Sequence, residues 1–449
     1  MLNIIHFNDV YNITETNNDK CCGGAARFKT MIERLKALDP EPLIFFSGDF
    51  LNPSQLSTIT NGEHMVAVMR EFGITCSMIG NHDLDFGNEH CIKCLSQLNY
   101  PTLNTNIFTP KQPQCSDPND ESLLEPLGRC QKELVLQHNG LTIGLVGVSE
   151  DWCNTIPVKP EHGIVYKDFK AQCAKYIAKL RAEHDLDLVI VLTHSRKEND
   201  LELADAVDGI DLILGGHDHL YHVGLNEKHK SLLVKSGCDF QGITYIRMVA
   251  QDEDADALSG ADPDQLSGAE LEVLAELNQH CLVESQLGLV GLHHRFSTYH
   301  YIINRTLKPD PKMAALVDSL SADFLAQISK PIGHVHCDLD TRFVHIRRRE
   351  SAACNMVCDI VRNAYRVDVV ILCGGGIRSD TVHKEGVLTY KDILDMVPFQ
   401  DPVIVKRMKG RKIVDALKHS IFNLPKLDGR FAHVSGTTVC EVMALLEIK

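Results

Sequence analysis

TCSMIGNHDLDFG, residues 75–87, runs from an apolar segment straight into Asn81, His82, Asp83 and Asp85. A loop that only reversed the chain would need its glycines and one Asn or Asp. An amide, an imidazole and two carboxylates behind a buried strand predict a loop that holds something charged. The pattern recurs along the first half of the chain. LNIIHF (2–7) ends in NDVYN, PLIFFSG (42–48) in DFLNPS, LTIGLVGVS (141–149) in EDW, LDLVIVLT (186–193) in HSRKEND, and GIDLILGG (209–216) in HDH. Short runs this rich in Ile, Val, Leu and Phe suit strands buried on both faces. Helical periods separate them, as in AARFKTMIERLKAL (25–38) and FKAQCAKYIAKLRAEH (169–184). Alternating strand and helix predicts an α/β fold, in which ligands gather at the carboxyl ends of the strands. The polar clusters fall there.

Composition sets the outer bounds. The chain has 449 residues, 44% hydrophobic and 23% charged, too many for one core, so two domains are expected. A formal charge of −15 argues against a sequence-independent grip on nucleic-acid polymers or anionic membranes, yet leaves room for a small phosphate ligand held by local cations. No apolar run approaches the roughly 20 residues of a membrane span. The start, MLNIIHFNDVYN, lacks the pattern of a signal peptide. With 16 cysteines and no export signal, mostly reduced, buried thiols and a cytoplasmic location are expected, or an extracellular one if a leader has been lost. CIKC (91–94) has zinc or redox spacing without a second pair, and reads better as cysteines on a helix behind the active-site loop.

The acidic stretch 251–270 reads as a solvated loop. DPKMAALVDSLSADFLAQI (310–328) has a helical period and is expected to join two domains, and a second α/β unit follows with VDVVILCGGG (367–376) as its clearest strand. The expected organisation is a catalytic domain over 1–305, a linker helix over 306–330 and a substrate-binding domain over 331–449, incomplete at its C-terminus.

The strand-end residues are Asp9, Asp49, Asn81, His194, His217 and His219. Alone, an Asp after a strand is usually a cap or turn. Five such clusters in order predict instead a metal site, because carboxylate, amide and neutral imidazole together suit borderline divalent ions. Two such ions clamp the attacking and departing oxygens of a phosphoryl transfer. His82 is placed to supply a further proton or charge if Asp85 holds its ring.

FND, GDFLNPS, GNHDLDFG, LTH and GGHDH together resemble the calcineurin-like metallophosphoesterases. RRRESAACNMVCDIV (347–361), GGGIRSD (374–380), VPFQDPVIVKRMKGRKIVDALKHS (397–420) and GRFAHVSG (429–436) are similar to the C-terminal domain of the 5′-nucleotidase family. The resemblance implies a four-layer αββα metallophosphoesterase domain and a smaller α/β nucleotidase domain joined by a helix. It implies Asp49 as a carboxylate bridging two divalent ions (Zn, Mn, Mg, Co or Fe). Asn81, His194 and His217 would complete one site and Asp9 and His219 the other. His82 and Asp85 match the catalytic pair. Arg347, Arg349 and Arg378 match positions that hold substrate, and Phe399 an aromatic that stacks on the base. The implied substrate is a small nucleotide, with a nucleoside monophosphate giving nucleoside and phosphate as the leading reaction. Cyclic-nucleotide and nucleotide-sugar hydrolysis, and nucleotide binding with little turnover, are the alternatives.

Three residue-level departures stand out. Many members read Asp-x-His in the first motif; here Tyr11 holds the His place, and two readings stay open, a poorer ligand or a packing residue. Cys373 stands where an Asn opens the glycine motif, and a thiol cannot both donate and accept as an amide does. The chain stops at Lys449 without a GGDGF-like segment that supplies the second stacking aromatic, so weaker and less selective base binding is expected.

Overall fold

The structure is a computed structural model that describes residues 2–16, 20–38, 41–112, 117, 119–250, 281–291, 294–397 and 403–437. The acidic stretch 251–270 and Phe399 lie outside the described residues. Two compact units are present, Met1–Ser321 and Ala322–Lys449, and the boundary falls within the helix Pro311–Ile328.

The first unit is built on two sheets. One has seven strands in the order Leu282–Val290, His294–Ile302, Gly242–Ala250, Leu2–Phe7, Leu43–Phe46, Cys76–Met78 and Thr102–Leu103. The other has six, in the order Tyr221–Leu225, Leu232–Ser236, Leu212–Gly216, Leu188–His194, Leu141–Ser149 and Glu133–His138. The first is antiparallel from Leu282–Val290 to Leu2–Phe7 and parallel from there to the Thr102–Leu103 edge, and the second has a parallel centre with an antiparallel strand at each margin. The alternation within each strand explains the stacking. Leu2, Ile4, Leu43 and Phe45 from the first sheet meet Leu145, Ile190, Leu192 and Leu214 from the second in one buried core.

The intervening residues face outward and are covered in turn. Phe7 packs on Phe28 of the helix Ala25–Leu38, with ring centroids 4.9 Å apart. Val189, Val191 and Ile213 pack on Cys173, Ile177 and Leu180 of the helix Phe169–Glu183. The result is a four-layer helix–sheet–sheet–helix arrangement, and it accounts for strands that are apolar on both faces.

Parallel pairing also fixes the site. Phe7 pairs with Phe46, while His194 pairs with both Gly216 and Ser149, so the carboxyl ends of these strands come level. The loops that follow converge at one edge of both sheets.

The second unit is a smaller α/β body. It has three two-stranded pairings, Pro331–Val335 with Gly386–Thr389, Leu339–Asp340 with Val382–His383, and Val370–Cys373 with Ala432–Ser435. The helices Ala352–Tyr365, Tyr390–Met396 and Gly410–Ser420 pack around them. Every described cysteine is a free thiol. Among the described residues, no helix is long and apolar enough to cross a membrane.

Candidate active site

Asp9, Asp49, His217 and His219 all have positive φ, between 52° and 81°. Such left-handed turns cost a non-glycine residue energy and persist where the surroundings over-determine them. Each turn swings a side chain out of its strand direction and back over the sheet edge. Backbone ties hold the turns, since Asp9 N donates to Gly48 O at 3.0 Å and Val10 N to Asp49 O at 2.9 Å. Two glycines permit the crowding. A β-carbon on Gly80 would lie 2.0 Å from Asp49 Oδ1, and one on Gly216 would lie 2.3 Å from Ser47 O and 2.9 Å from Asp9 Oδ2.

The ligand atoms of Asp49, His194 and His217 all lie within 4.8 Å of one another. Asp49 and His194 are buried, and His217 is half-buried. His194 Nδ1 donates to Ser47 O at 2.8 Å. That bond fixes the proton on Nδ1, so the neutral ring presents a bare Nε2. His194 Nε2 lies 3.2 Å from Asp49 Oδ2 and makes no hydrogen bond. Asn81 Oδ1 is likewise buried with no hydrogen-bond partner. Buried polar atoms are nearly always satisfied, so an orphaned imidazole nitrogen beside the Asp49 carboxylate, with a second buried orphan on Asn81, fits a divalent cation, and the N/O donor set suits a borderline one.

The electrostatics of this group are strongly coupled. Burial alone would raise the Asp49 carboxyl, but His194 and then His82 outweigh it and hold it at about 2. Burial opposes a charge on His194, yet the Asp49 and Asp9 carboxylates favour a second proton, on Nε2, and push its pKa up to about 10, and a divalent cation at Nε2 would take that proton's place.

His82 sits one residue beyond Asn81, its side chain about two-fifths exposed. Its backbone N–H donates to Asp49 Oδ1 at 2.8 Å, and its Nδ1 donates to Asp85 Oδ2 at 2.7 Å. Asp85 Oδ2 also accepts from Asn52 Nδ2 at 2.6 Å. Desolvation works against a charged His82, but the Asp85 hydrogen bond and the Asp49 charge win, lifting it to about 9. The remaining carboxylate of the opening stretch has a different task. Asp83 is fully buried and accepts from the N–H groups of Asp49, Phe50, Leu51 and Gly80, which ties the two ligand loops together.

Asp9 and His219 stand outside the compact group of three. Asp9 Oδ2 accepts from Asn8 Nδ2 at 2.7 Å and from His217 N at 2.8 Å, while His219 Nε2 lies 3.4 Å from Asp9 Oδ1. Tyr11 lies among these groups. Its hydroxyl is 3.1 Å from Asp9 Oδ1, 3.3 Å from Asp49 Oδ2 and 3.0 Å from His219 Nε2. Burial, and after it the Asp49 and Asp9 charges, raise this phenol well above its ordinary pKa of 10.

Sequence reasoning passed over three residues. Glu150 follows the strand Leu141–Ser149, is buried, binds Arg196 Nη1 at 2.9 Å and lies 3.6 Å from His217 Nε2. Its position in VSEDW carried the same strand-end signal as the others. Ser47, whose carbonyl orients His194, and buried Lys235 left no such trace. Lys235 Nζ donates to Ser195 O at 2.7 Å and Gly216 O at 2.6 Å and pairs with Asp200 at 2.8 Å and Asp218 at 3.1 Å.

The Arg347 guanidinium carbon lies 4.1 Å from the centre of the Phe343 ring and that of Arg378 5.6 Å from it. Arg349 instead lines a cavity of about 570 Å³ with Arg348, Asp359, Arg362, Phe431 and Ser435. The glycine run 374–376 approaches protein backbone: Gly374 N donates to Phe431 O and Gly375 N to Gly429 O, each at 2.7 Å.

Comparison with known proteins follows the same division. A family model described as calcineurin-like phosphoesterase matches residues 2–221, and one described as the 5′-nucleotidase C-terminal domain matches residues 331–441. All eight candidate metal and catalytic residues fall in the first span, and the three arginines in the second. The 5′-nucleotidase of Bos taurus is 24% identical over 460 residues, covering 98% of this chain and 75% of the bovine protein. The solved structure of a putative 5′-nucleotidase from Staphylococcus aureus superimposes with a TM-score of 0.65 at 16% identity, covering 97% of this chain and 82% of that one. An NAD nucleotidase from Haemophilus influenzae does so with a TM-score of 0.61 at 17% identity, covering 97% and 81%. At these identities the structural likeness establishes the shared fold.

Proposed function

Because the chain belongs to the 5′-nucleotidase family of the calcineurin-like phosphoesterases, we propose that it is a divalent-metal-dependent hydrolase of nucleotide phosphoesters, acting first on nucleoside 5′-monophosphates to release phosphate. One observation carries the reading: the ligand atoms of Asp49, His194 and His217 converge within 4.8 Å of one another, and the backbone of His82, whose ring is held by Asp85, is tied to Asp49. Asp49, Asn81, His194 and His217 would hold one divalent cation, and Asp9 and His219 are the candidates for a second. A divalent cation in such a site polarises the phosphoryl group and makes water a competent nucleophile at neutral pH.

The residues of the chain supply the rest. Ser47 and Asp83 keep the His194 ring and the Asp49 loop in place. His82, with Nδ1 committed to Asp85, keeps Nε2–H free to donate to a phosphoryl oxygen or to the departing oxygen. Arg347 and Arg378, both close to the Phe343 ring, would supply guanidinium forks and a ring face suited to the anionic and aromatic parts of a nucleotide. A cytoplasmic location is in keeping with the free thiols.

The test is phosphate release from chelator-stripped protein after adding back single divalent ions. Nucleoside monophosphates, cyclic nucleotides, a nucleotide sugar and NAD form the panel. Turnover of the monophosphates that chelator abolishes is expected. Tight nucleotide binding without phosphate release under every ion would instead make the chain a nucleotide-binding protein. Preferred cleavage of the sugar nucleotide or NAD would move the reaction to the pyrophosphate bond.

A further inference from the structure

We infer that the Tyr11 hydroxyl takes the place of a second cation, so that the chain holds one resident divalent ion, on Asp49, Asn81, His194 and His217, and no tightly bound partner ion on Asp9 and His219. The inference rests on the metal-dependent reading above and concerns the number of ions it involves.

The geometry is specific. A first-row divalent ion binds oxygen and nitrogen at about 2.0–2.2 Å. An ion shared by Asp9, Asp49 and His219 would therefore have to settle in the middle of their ligand atoms. The Tyr11 oxygen stands there, 3.0–3.3 Å from one atom of each. These are hydrogen-bond distances, and the phenol's bonding capacity matches its surroundings. Its single proton serves the two carboxylates, with Asp9 Oδ1 the nearer, and its lone pair accepts from His219 Nε2–H. The hydroxyl thus links Asp9, Asp49 and His219 as a shared cation would.

The remaining contacts agree. Asp9 Oδ2 is already committed to Asn8 Nδ2 and His217 N. His194 Nε2, buried without a hydrogen-bond partner, belongs to the Asp49–His194–His217 group. Tyr11 is itself anchored, because its backbone N–H donates to Asp239 Oδ1 at 3.2 Å, Asp239 N donates to Asp9 O at 2.7 Å, and the side chain is only 5% exposed. Clearing the position would require this buried side chain to leave its pocket.

The experiment counts ions. The full chain is stripped with chelator, equilibrated with Mn²⁺, passed through a desalting column and analysed for metal per chain, with electron paramagnetic resonance on the same sample. One Mn²⁺ per chain with the spectrum of an isolated ion is expected, with any second ion bound at least ~100-fold more weakly. Tyr11→His, which removes the hydroxyl and supplies an imidazole, is expected to raise the count to two with a spin-coupled spectrum, whereas Tyr11→Phe should keep one. Two ions with a coupled spectrum in the unaltered chain would overturn the inference and leave metal dependence standing. No retained ion at all would overturn the metal-dependent reading and this inference with it. The count on the unaltered chain decides the matter even if Tyr11→His does not fold.

Discussion

His82 and Asp85 share one turn of chain with the candidate ligand Asn81, and their side chains are placed for different work. His82 lies outside the compact Asp49–His194–His217 group, and its ring is hydrogen-bonded to Asp85 at 2.7 Å. His82→Ala is therefore expected to lower kcat by about 10²–10⁴-fold, the usual range for a lost proton donor, while metal content stays at the parent value. A parallel fall in bound metal would show that the ring supports the cation site. Asp85→Asn should cost less, since an amide still orients the ring but no longer favours its charged form. The opening stretch made these roles legible, because each needs a polar residue type that a plain turn does not. Tyr11 was legible only as a departure. That its hydroxyl meets Asp9, Asp49 and His219 depends on loops more than 200 residues apart in the chain, which no local pattern encodes.

The strands that carry the site were readable from sequence, and the ties between their loops were not. Leu188–His194 and Leu212–Gly216 are apolar runs with polar ends. The antiparallel margins, such as Tyr221–Leu225 and His294–Ile302, mix His, Tyr and Ser with apolar residues and lack that signature. Lys235 belongs to this hidden class, since a lysine inside LLVKS reads as a surface residue although its side chain is 1% exposed. It joins the carbonyls at the ends of two ligand-bearing strands and neutralises Asp200 and Asp218. Lys235→Met leaves a fully buried Asp200 without its cation, so a loss of about 3–5 kcal/mol is expected from urea unfolding, the usual cost of breaking a buried pair from one side. A loss under ~1 kcal/mol would mean the pair is structurally idle. Histidines buried in the same framework give stability a pH dependence. Burial lowers His64, on the helix Glu63–Met69, and His300, on the strand His294–Ile302, to about 4. Unfolded chains take up protons on these rings from about pH 6.5 downward, while the folded protein resists until about 4. Their contribution is thus complete above 6.5 and is lost as pH falls through that window, by on the order of 2–3 kcal/mol each. Urea titrations at pH 7.5 and 5 should show the loss, and the double variant His64→Gln/His300→Gln should flatten it. An unchanged slope would mean that other groups govern acid sensitivity.

Each unit has its own buried cluster, and the candidate site residues are divided between them. All candidate metal ligands and the His82–Asp85 pair belong to Met1–Ser321, while Arg347 and Arg378 both approach the Phe343 ring in Ala322–Lys449. The second unit was the less legible half. Its strands are short and partly exposed, as in Pro331–Val335, so burial patterns carry little information, and three arginines that look equivalent in sequence have different surroundings, a Phe343 ring for two and a cavity wall for Arg349. The division predicts how substrates should respond to change in the second unit. A small artificial phosphoester such as p-nitrophenyl phosphate offers the metal site all it needs and offers Arg378 nothing to hold. A nucleotide presents an anionic group and a base that a guanidinium beside a ring can bind. Arg378→Ala should therefore raise KM for a nucleoside monophosphate by about 10–100-fold, the loss of one charge-assisted hydrogen-bonding group, and change kcat/KM for p-nitrophenyl phosphate less than about twofold. Steady-state kinetics on both substrates, with metal content checked in parallel, separates the outcomes. Equal losses on the two substrates would place Arg378 in the chemistry or in the folding of the unit, and no loss on either would remove it from the nucleotide site.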